Sequence, residues 1–198
     1  VPDAARRLAE KLKIQNIDFL DAPVSGQTIG AENATLTVMV GGDVNAFERA
    51  YPAMAAVGKL IQHVGNSGAG FAVKAINNML LAVNLWSVAE GFSTLKAHGV
   101  NLDAALNCIN ASSGKSLVTE NIFPQRVLSR EFPCTFALPL LAKDTEIALD
   151  LVHDAKLPAP ILALTQSLIQ AANLTAEPNS DFSSAVKIYE EWTKIILK

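Results

Sequence analysis

The sequence predicts a mainly α protein, in which a short α/β segment precedes an all-α domain. Residues 1–64 alternate helical and strand patterns, whereas no strand pattern follows Val64. Residues 67–98 form one unusually long helical pattern. Half of the 198 residues are hydrophobic and only 18% are charged, so we expect a large apolar interior. The predicted domains are therefore residues 1–66 and residues 67–198.

The first domain is predicted to contain three strands and two helices. Short apolar or β-branched runs predict strands over residues 17–20, 35–40 and 60–64. The helices are expected over residues 4–13 and 44–56, with Asp3 and Asp43 as their N-caps. Residues 24–27 contain serine and glycine and are predicted to form a loop.

The second domain is predicted to be helical throughout. Gly99 is the expected C-cap of the long helix, and Asn101 or Asp103 the start of the next. Pro124 is expected to make one helix irregular, and residues 132–136 predict a proline-bearing loop. After the long helix, the predicted helices cover residues 101–110, 116–128, 138–155, 160–172 and 181–197.

Composition argues against several classes of partner. The net charge is −3 and no run of Lys or Arg could neutralise a phosphate backbone, so no nucleic-acid partner is expected. Cys108 and Cys134 have no metal or redox spacing, which predicts reduced cysteines in an intracellular protein. The three histidines are scattered, and no metal site is predicted. Because Asn84 and Glu90 interrupt the longest apolar run, no membrane-spanning segment is expected.

A glycine turn, Gly65-x-x-Gly68-x-Gly70, opens the long helix. Its spacing is not that of the dinucleotide-binding fingerprint G-x-G-x-x-G. Free N–H groups at such a helix start favour an anion, for example a substrate carboxylate. An ordinary tight entry into a helix is an equally good interpretation of these residues alone.

Lys74, Asn77 and Asn78 follow on one side of this otherwise apolar helix. Partial desolvation disfavours the ammonium form of a lysine and suits it to acid/base chemistry. Asn78, one turn later, could hold a substrate hydroxyl or the lysine itself. On these residues alone, a lysine that extends its amine into water is the more common explanation.

A third polar group lies in the second domain. Phe132-Pro-Cys-Thr-Phe136 precedes Lys143-Asp144, and that pair lies in an apolar helical pattern. The pair could contact a cofactor or orient a catalytic lysine, although solvation of a surface helix is the commoner role for such a pair.

Three motifs in this order resemble the β-hydroxyacid dehydrogenase family, which includes 3-hydroxyisobutyrate dehydrogenase and tartronate semialdehyde reductase. Residues 21–26 (DAPVSG), followed by residues 35–42 (TLTVMVGG), resemble its substrate-binding loop and the next strand. Residues 65–78 resemble its catalytic-lysine segment, and Phe136 with residues 143–148 (KDTEIA) its cofactor-side segment. The resemblance extends from Arg6 to about Ala172.

The resemblance implies an NAD- or NADP-dependent oxidoreductase with a Rossmann domain followed by an all-α domain. The chain begins Val-Pro-Asp without an initiator methionine, as expected of a fragment. It would keep only the α/β tail of a truncated Rossmann domain, would lack the main cofactor-binding loop and would be inactive alone. The implied compartment is cytoplasmic, or mitochondrial in a eukaryote.

The resemblance also implies a role for each motif residue. Lys74 would be the general acid/base of hydride transfer. The substrate would be bound by Ser25, Gly26, Gln27, Asn77 and Asn78. The cofactor would be contacted by Gly68, Phe136, Lys143 and Asp144. Gln27 replaces a second glycine that is common in the family, so it could narrow or re-aim the carboxylate pocket.

The expected substrate is a small unphosphorylated hydroxyacid. The related 6-phosphogluconate dehydrogenases carry a histidine where this chain has Asn77, and the chain has no basic cluster for a sugar phosphate. The expected partner is a second copy, in a homodimer or homotetramer formed through the helical domain. A non-catalytic helical scaffold of the same fold is the alternative, and the presence of Lys74 and Ser25 favours the enzyme.

Overall fold

A computed structural model describes residues 1–198. Its contacts divide the chain into two compact units, Val1–Asn77 and Asn78–Lys198. Helices predominate and strands occur only in the first unit, so the predicted mainly α class is correct. The unit boundary lies further along the chain than the predicted division at residues 66 and 67, because the first turns of the long helix pack against the sheet.

A four-stranded sheet forms the centre of the first unit. Its central strand, β3 (Leu36–Gly42), pairs antiparallel with two short strands, β1 (Leu20–Asp21) and β2 (Val24–Ser25). On its other side it pairs in parallel with β4 (Gly58–Gly65). The parallel pair requires a crossover helix. Helix α3 (Val44–Ala55) provides it, and Asp43 caps this helix as predicted by accepting from the Ala46 N–H at 2.9 Å.

Three details of the first unit differ from the sequence-based predictions. Helix α1 (Pro2–Lys13) starts two residues earlier than predicted, with Val1 as N-cap, because Asp3 lies inside its first turn and pairs with Arg6. Of the strand predicted at residues 17–20, only Leu20 lies in a strand. Residues 17–19 lie outside any element, and Ile17 is about half exposed. The predicted loop instead contains β2 and leads into a short helix, α2 (Gln27–Glu32).

Helix α4 (Ala69–Ala97) is the predicted long helix, and Gly99 follows it with a φ of 74°. By length and composition alone this helix is long and apolar enough to cross a membrane, and 33% of its most apolar 18 residues are buried inside the protein. The core helix of a soluble protein passes the same test. Met79, Ala82, Leu85 and Ala89 along this helix are fully buried within the protein.

The second unit is built from the rest of α4 and the helices that follow. Asn101, one of the two predicted starts, caps the next helix by accepting from the Ala104 N–H at 2.9 Å. The helices are α5 (Leu102–Asn110), a π-helix (Val118–Leu128), α6 (Leu138–Asp154), α7 (Pro160–Thr175), a 3₁₀ turn (Phe182–Ala185) and α8 (Val186–Thr193). The π-helix contains Pro124, which has no N–H to donate within the helix.

The last helix is shorter than the prediction of residues 181–197. It ends at Thr193, where Lys194 adopts a left-handed conformation with a φ of 59°. The tail then folds back, so that Leu197 is fully buried and its N–H donates to Glu190 Oε1 at 2.7 Å. The carboxylate of Glu190 also binds Arg130, at 2.5 and 3.0 Å.

The core of the second unit is apolar and aromatic. Phe123, Phe182, Leu138 and Leu141 are fully buried, and the rings of Phe92 and Phe123 lie 4.7 Å apart. Cys108 and Cys134 are both free and exposed.

Adjacent leucines of α6 test this core. Leu141 is fully buried, whereas Leu140 is 48% exposed. We expect Leu141→Ala to lower the free energy of unfolding by about 2–5 kcal/mol, because it removes apolar contacts and leaves a cavity. Leu140→Ala should change it by less than about 1 kcal/mol. Urea unfolding followed by tryptophan fluorescence measures the difference, since Trp86 and Trp192 both lie in the second unit.

Candidate active site

The carboxylate of Asp21 caps the start of helix α4. Its Oδ1 accepts from the Gly68 N–H at 2.6 Å, and its Oδ2 accepts from the Phe71 N–H at 3.0 Å. Asp21 is only 2% exposed. An anion at a helix N-terminus is stabilised both by these otherwise unpaired donors and by the helix dipole. Asp21 therefore links strand β1 to the helix that carries Lys74.

Two glycines leave the space that this contact requires. A Cβ on Gly41 would lie 2.6 Å from Asp21 Oδ1 and 2.9 Å from the Gly70 nitrogen. A Cβ on Gly70 would lie 2.8 Å from the Asp21 carbonyl oxygen, and closer still to the carbonyl oxygen of Met39. The first turn of α4 thus lies directly against the backbone of β1 and β3, which only glycine permits.

The glycine turn therefore already holds an anion that belongs to the chain itself. Asp21 occupies amide donors for which the sequence left two interpretations open, an anion such as a substrate carboxylate or an ordinary tight entry into the helix. Gly68, predicted to contact the cofactor, donates its N–H to Asp21, and a Cβ there would lie 2.8 Å from the Pro2 carbonyl oxygen. Packing and capping account for the glycines of this turn.

The predicted substrate loop lies at the end of β2. Ser25 is half-buried and pairs with Thr37 of β3, whereas Gly26 and Gln27 are exposed. Gly26 has a φ of 137° and Gln27 a φ of 58°. The left-handed region costs a residue other than glycine about 1–2 kcal/mol. A glycine, as the family resemblance led us to expect at residue 27, would avoid this cost.

Lys74 and Asn77 also belong to the first unit, on the initial turns of α4. Lys74 is half-buried and Asn77 is exposed, while their neighbour Ala75 is buried. The lysine is thus neither buried in the core nor fully exposed to solvent.

The second unit brings Asn78, Lys143 and Asp144 together. The Asn78 Nδ2 group donates to Asp144 Oδ2 at 2.6 Å, and the Lys143 Nζ lies 3.0 Å from Asp144 Oδ1. Asn78 and Asp144 are buried, whereas the Lys143 side chain is 58% exposed. The carboxylate thus fixes the carboxamide on one side and faces a solvated ammonium group on the other.

Phe136, the remaining predicted residue, is held by a second buried aspartate. Asp181 Oδ2 accepts from the backbone N–H groups of Thr135 and Phe136 at 3.1 and 3.4 Å. The same oxygen accepts from Arg126 Nη1 at 2.8 Å, in an ion pair that is almost completely buried. The rings of Phe136 and Phe182 lie 5.8 Å apart.

The sequence analysis assigned no individual role in the site to Asp21, Arg126 or Asp181. Asp21 is the first residue of the substrate-loop motif at residues 21–26, and Arg126 lies in a mostly apolar helical pattern. For Asp21 and Arg126 a charged residue among apolar neighbours was the available signal, because the partners described above lie 45 to 55 positions away in the sequence.

Two family models match adjoining parts of the chain. Residues 1–65 match the NAD binding domain of 6-phosphogluconate dehydrogenase, and residues 68–189 match the NAD-binding domain of NADP-dependent 3-hydroxyisobutyrate dehydrogenase. Both models describe domains of proteins that bind a nicotinamide dinucleotide, and the fold is of that class. The chain belongs to the β-hydroxyacid dehydrogenase family.

Individual relatives agree with this assignment. The chain is 34% identical to 2-(hydroxymethyl)glutarate dehydrogenase of Eubacterium barkeri over 98% of its own length and 64% of the relative's. It is 31% identical to the mitochondrial 3-hydroxyisobutyrate dehydrogenase of Drosophila melanogaster, over 92% and 58% of the two chains. The structure of Mycobacterium tuberculosis 3-hydroxyisobutyrate dehydrogenase with L-serine superimposes with a TM-score of 0.87 at 29% identity, over 93% and 65%. The chain thus spans less than two thirds of each of these proteins.

Two glycines of α4 provide a test of the close packing at Asp21. Gly70 is surrounded by backbone and carboxylate oxygens, whereas a Cβ on Gly91 would have nothing within 4 Å. We expect Gly70→Ala to lower the melting temperature by several degrees, because the start of α4 must move away from β1 and β3. Gly91→Ala should instead stabilise the helix by about 0.5–1 kcal/mol. Thermal unfolding followed by circular dichroism measures both, and equal effects would contradict the packing argument.

Proposed function

We propose that this chain is part of an NAD- or NADP-dependent dehydrogenase that acts on a small 3-hydroxyacid, with Lys74 as its general acid/base. The observation that carries the proposal is the half-buried Lys74 on a helix whose start is fixed by Asp21, within a chain of the β-hydroxyacid dehydrogenase family.

A bound nicotinamide supplies the hydride acceptor or donor. During oxidation, the Lys74 amine accepts the hydroxyl proton while the carbon that carries this hydroxyl group becomes a carbonyl carbon. During reduction, the Lys74 ammonium returns that proton to the carbonyl oxygen. A group that is partly shielded from water but not sealed in the core suits both directions.

The names of the relatives support the substrate class. 2-(Hydroxymethyl)glutarate and 3-hydroxyisobutyrate each carry a hydroxyl group and a carboxylate. Because Asp21 already occupies the amides of Gly68 and Phe71, we assign the substrate carboxylate to the Ser25 hydroxyl and the Gly26 N–H. Gln27 would border this carboxylate and narrow the pocket that holds it. Asn77 and Asn78 complete the proposed substrate set, with the Asn78 carboxamide oriented by Asp144.

The residues of the second unit partly fit a nicotinamide cofactor. Phe136 is only partly exposed and its backbone is fixed by Asp181, as a contact for a flat ring requires, and Lys143 offers an exposed ammonium group. The hydroxyl of Thr135 is buried without a hydrogen-bond partner, so the loop beside Phe136 has an unused polar group. Gly68, which belongs to the first unit, fits less well because its N–H already donates to Asp21. We therefore assign Phe136, Lys143 and Asp144 to the cofactor and give Gly68 a packing role.

We further propose that residues 1–66 are the end of a Rossmann domain and residues 67–198 a helical domain. The two family models meet between residues 65 and 68. The exposed Ile161, Leu164 and Leu174 of α7 support assembly into a homodimer or homotetramer through the second unit.

Substitution of Lys74 tests the proposed reaction. In the full-length enzyme we expect Lys74→Ala to lower kcat for 3-hydroxyisobutyrate by about 10²–10⁴-fold, because general acid/base catalysis contributes that much. Lys59→Ala, at an exposed lysine of the same unit, is the control and should leave kcat unchanged. If Lys74→Ala keeps kcat within a few-fold of the parent, the lysine assignment is wrong.

Cofactor binding to the 198-residue chain alone is a separate test. The sequence contains no G-x-G-x-x-G loop to hold a pyrophosphate. We expect isothermal titration calorimetry of this chain with NAD or NADP to give a Kd weaker than about 1 mM. A micromolar Kd would show that the residues present are sufficient for binding.

A further inference from the structure

Asp21 joins two parts of the first unit that the proposed function uses, namely the strands near Ser25 and the helix that carries Lys74. It forms the end of β1, and both β1 and β2, which carries Ser25, pair with β3. Its side chain binds the Gly68 and Phe71 amides at the start of α4, one turn before Lys74. The same residue thus contacts the strand that leads to Ser25 and the helix that carries the lysine.

The contact leaves little freedom for movement. Each carboxylate oxygen accepts from a different amide, which fixes both the height and the rotation of the first helical turn. The missing Cβ atoms at Gly41 and Gly70 let backbone and carboxylate approach within ordinary contact distance. Asp21 itself is buried, so water does not compete for its oxygens.

We propose that Asp21 is a positioning residue, which sets the position of Lys74 relative to Ser25 through the first turn of α4. This inference rests on the proposed function. It predicts that the negative charge and the second acceptor oxygen matter to turnover as well as to stability. A displacement of about 1 Å in a catalytic group can lower the rate by about 10²-fold.

Asp21→Asn is the most direct test, in the full-length enzyme. An asparagine keeps one acceptor oxygen and places an NH₂ group against the second amide, so one of the two N–H groups loses its partner. We expect kcat to fall by about 10- to 100-fold, while KM for the nicotinamide cofactor changes by less than about twofold.

Asp43→Asn is the matched control. Asp43 also caps a helix of the first unit, but it uses a single oxygen, and α3 carries no predicted site residue. Because asparagine is an equally good N-cap, this variant should keep kcat within about twofold of the parent.

A double variant separates positioning from a merely structural role. If Asp21 acts through Lys74, Asp21→Asn combined with Lys74→Ala should have the same kcat as Lys74→Ala alone. Multiplicative losses, or an Asp21→Asn variant that keeps parental kcat, would overturn the inference while leaving the proposed function intact. If Lys74→Ala itself keeps parental kcat, the proposed function and the inference both fail. Asp21→Ser replaces Asp21→Asn if the latter does not fold, and failure of both to fold would show that the role is structural only.

Discussion

The first unit depends on one buried charge. The carboxylate of Asp21 is buried away from water. Two backbone N–H groups at the start of α4 donate to it and compensate for the lost hydration. A hydrogen bond to a charged group contributes about 1.5–3 kcal/mol, but leaving such a charge unpaired costs more. The start of α4 therefore packs directly on the sheet, and the absence of a Cβ at Gly41 and Gly70 makes this close approach possible. The location of Lys74 follows from this contact.

A second buried carboxylate, that of Asp181, likewise holds a backbone segment in the helical unit. Asp181 pairs with Arg126 and also accepts from the backbone of Thr135 and Phe136. Removing one partner of a buried ion pair costs about 3–5 kcal/mol, so the pair fixes its loop strongly. In both units an aspartate distant in sequence holds a segment that the family resemblance marks as functional.

Local sequence patterns predicted most of the helices and the two longer strands. The caps at Asp43 and Asn101, the end of α4 before Gly99 and the loop before α6 all depend on nearby residues. The errors have physical reasons as well. The strand expected at residues 17–20 is mostly exposed chain, because only Leu20 and Asp21 reach β3. The last helix stops at Thr193, because burial of Leu197 and its bond to Glu190 require the tail to turn back.

The sequence by itself determined the mainly α class, the order of the motifs and the residue types of the candidate site. Those properties are local, since helical periodicity, capping and motif spacing can all be read within a few turns. Only the tertiary structure decided which groups meet. It placed the Asp21 carboxylate on the amides that the sequence had offered to a ligand, and joined Asn78 to Asp144 across 66 positions. No local pattern encodes such pairs, because they form only when distant segments are packed together and a buried charge must find its donors.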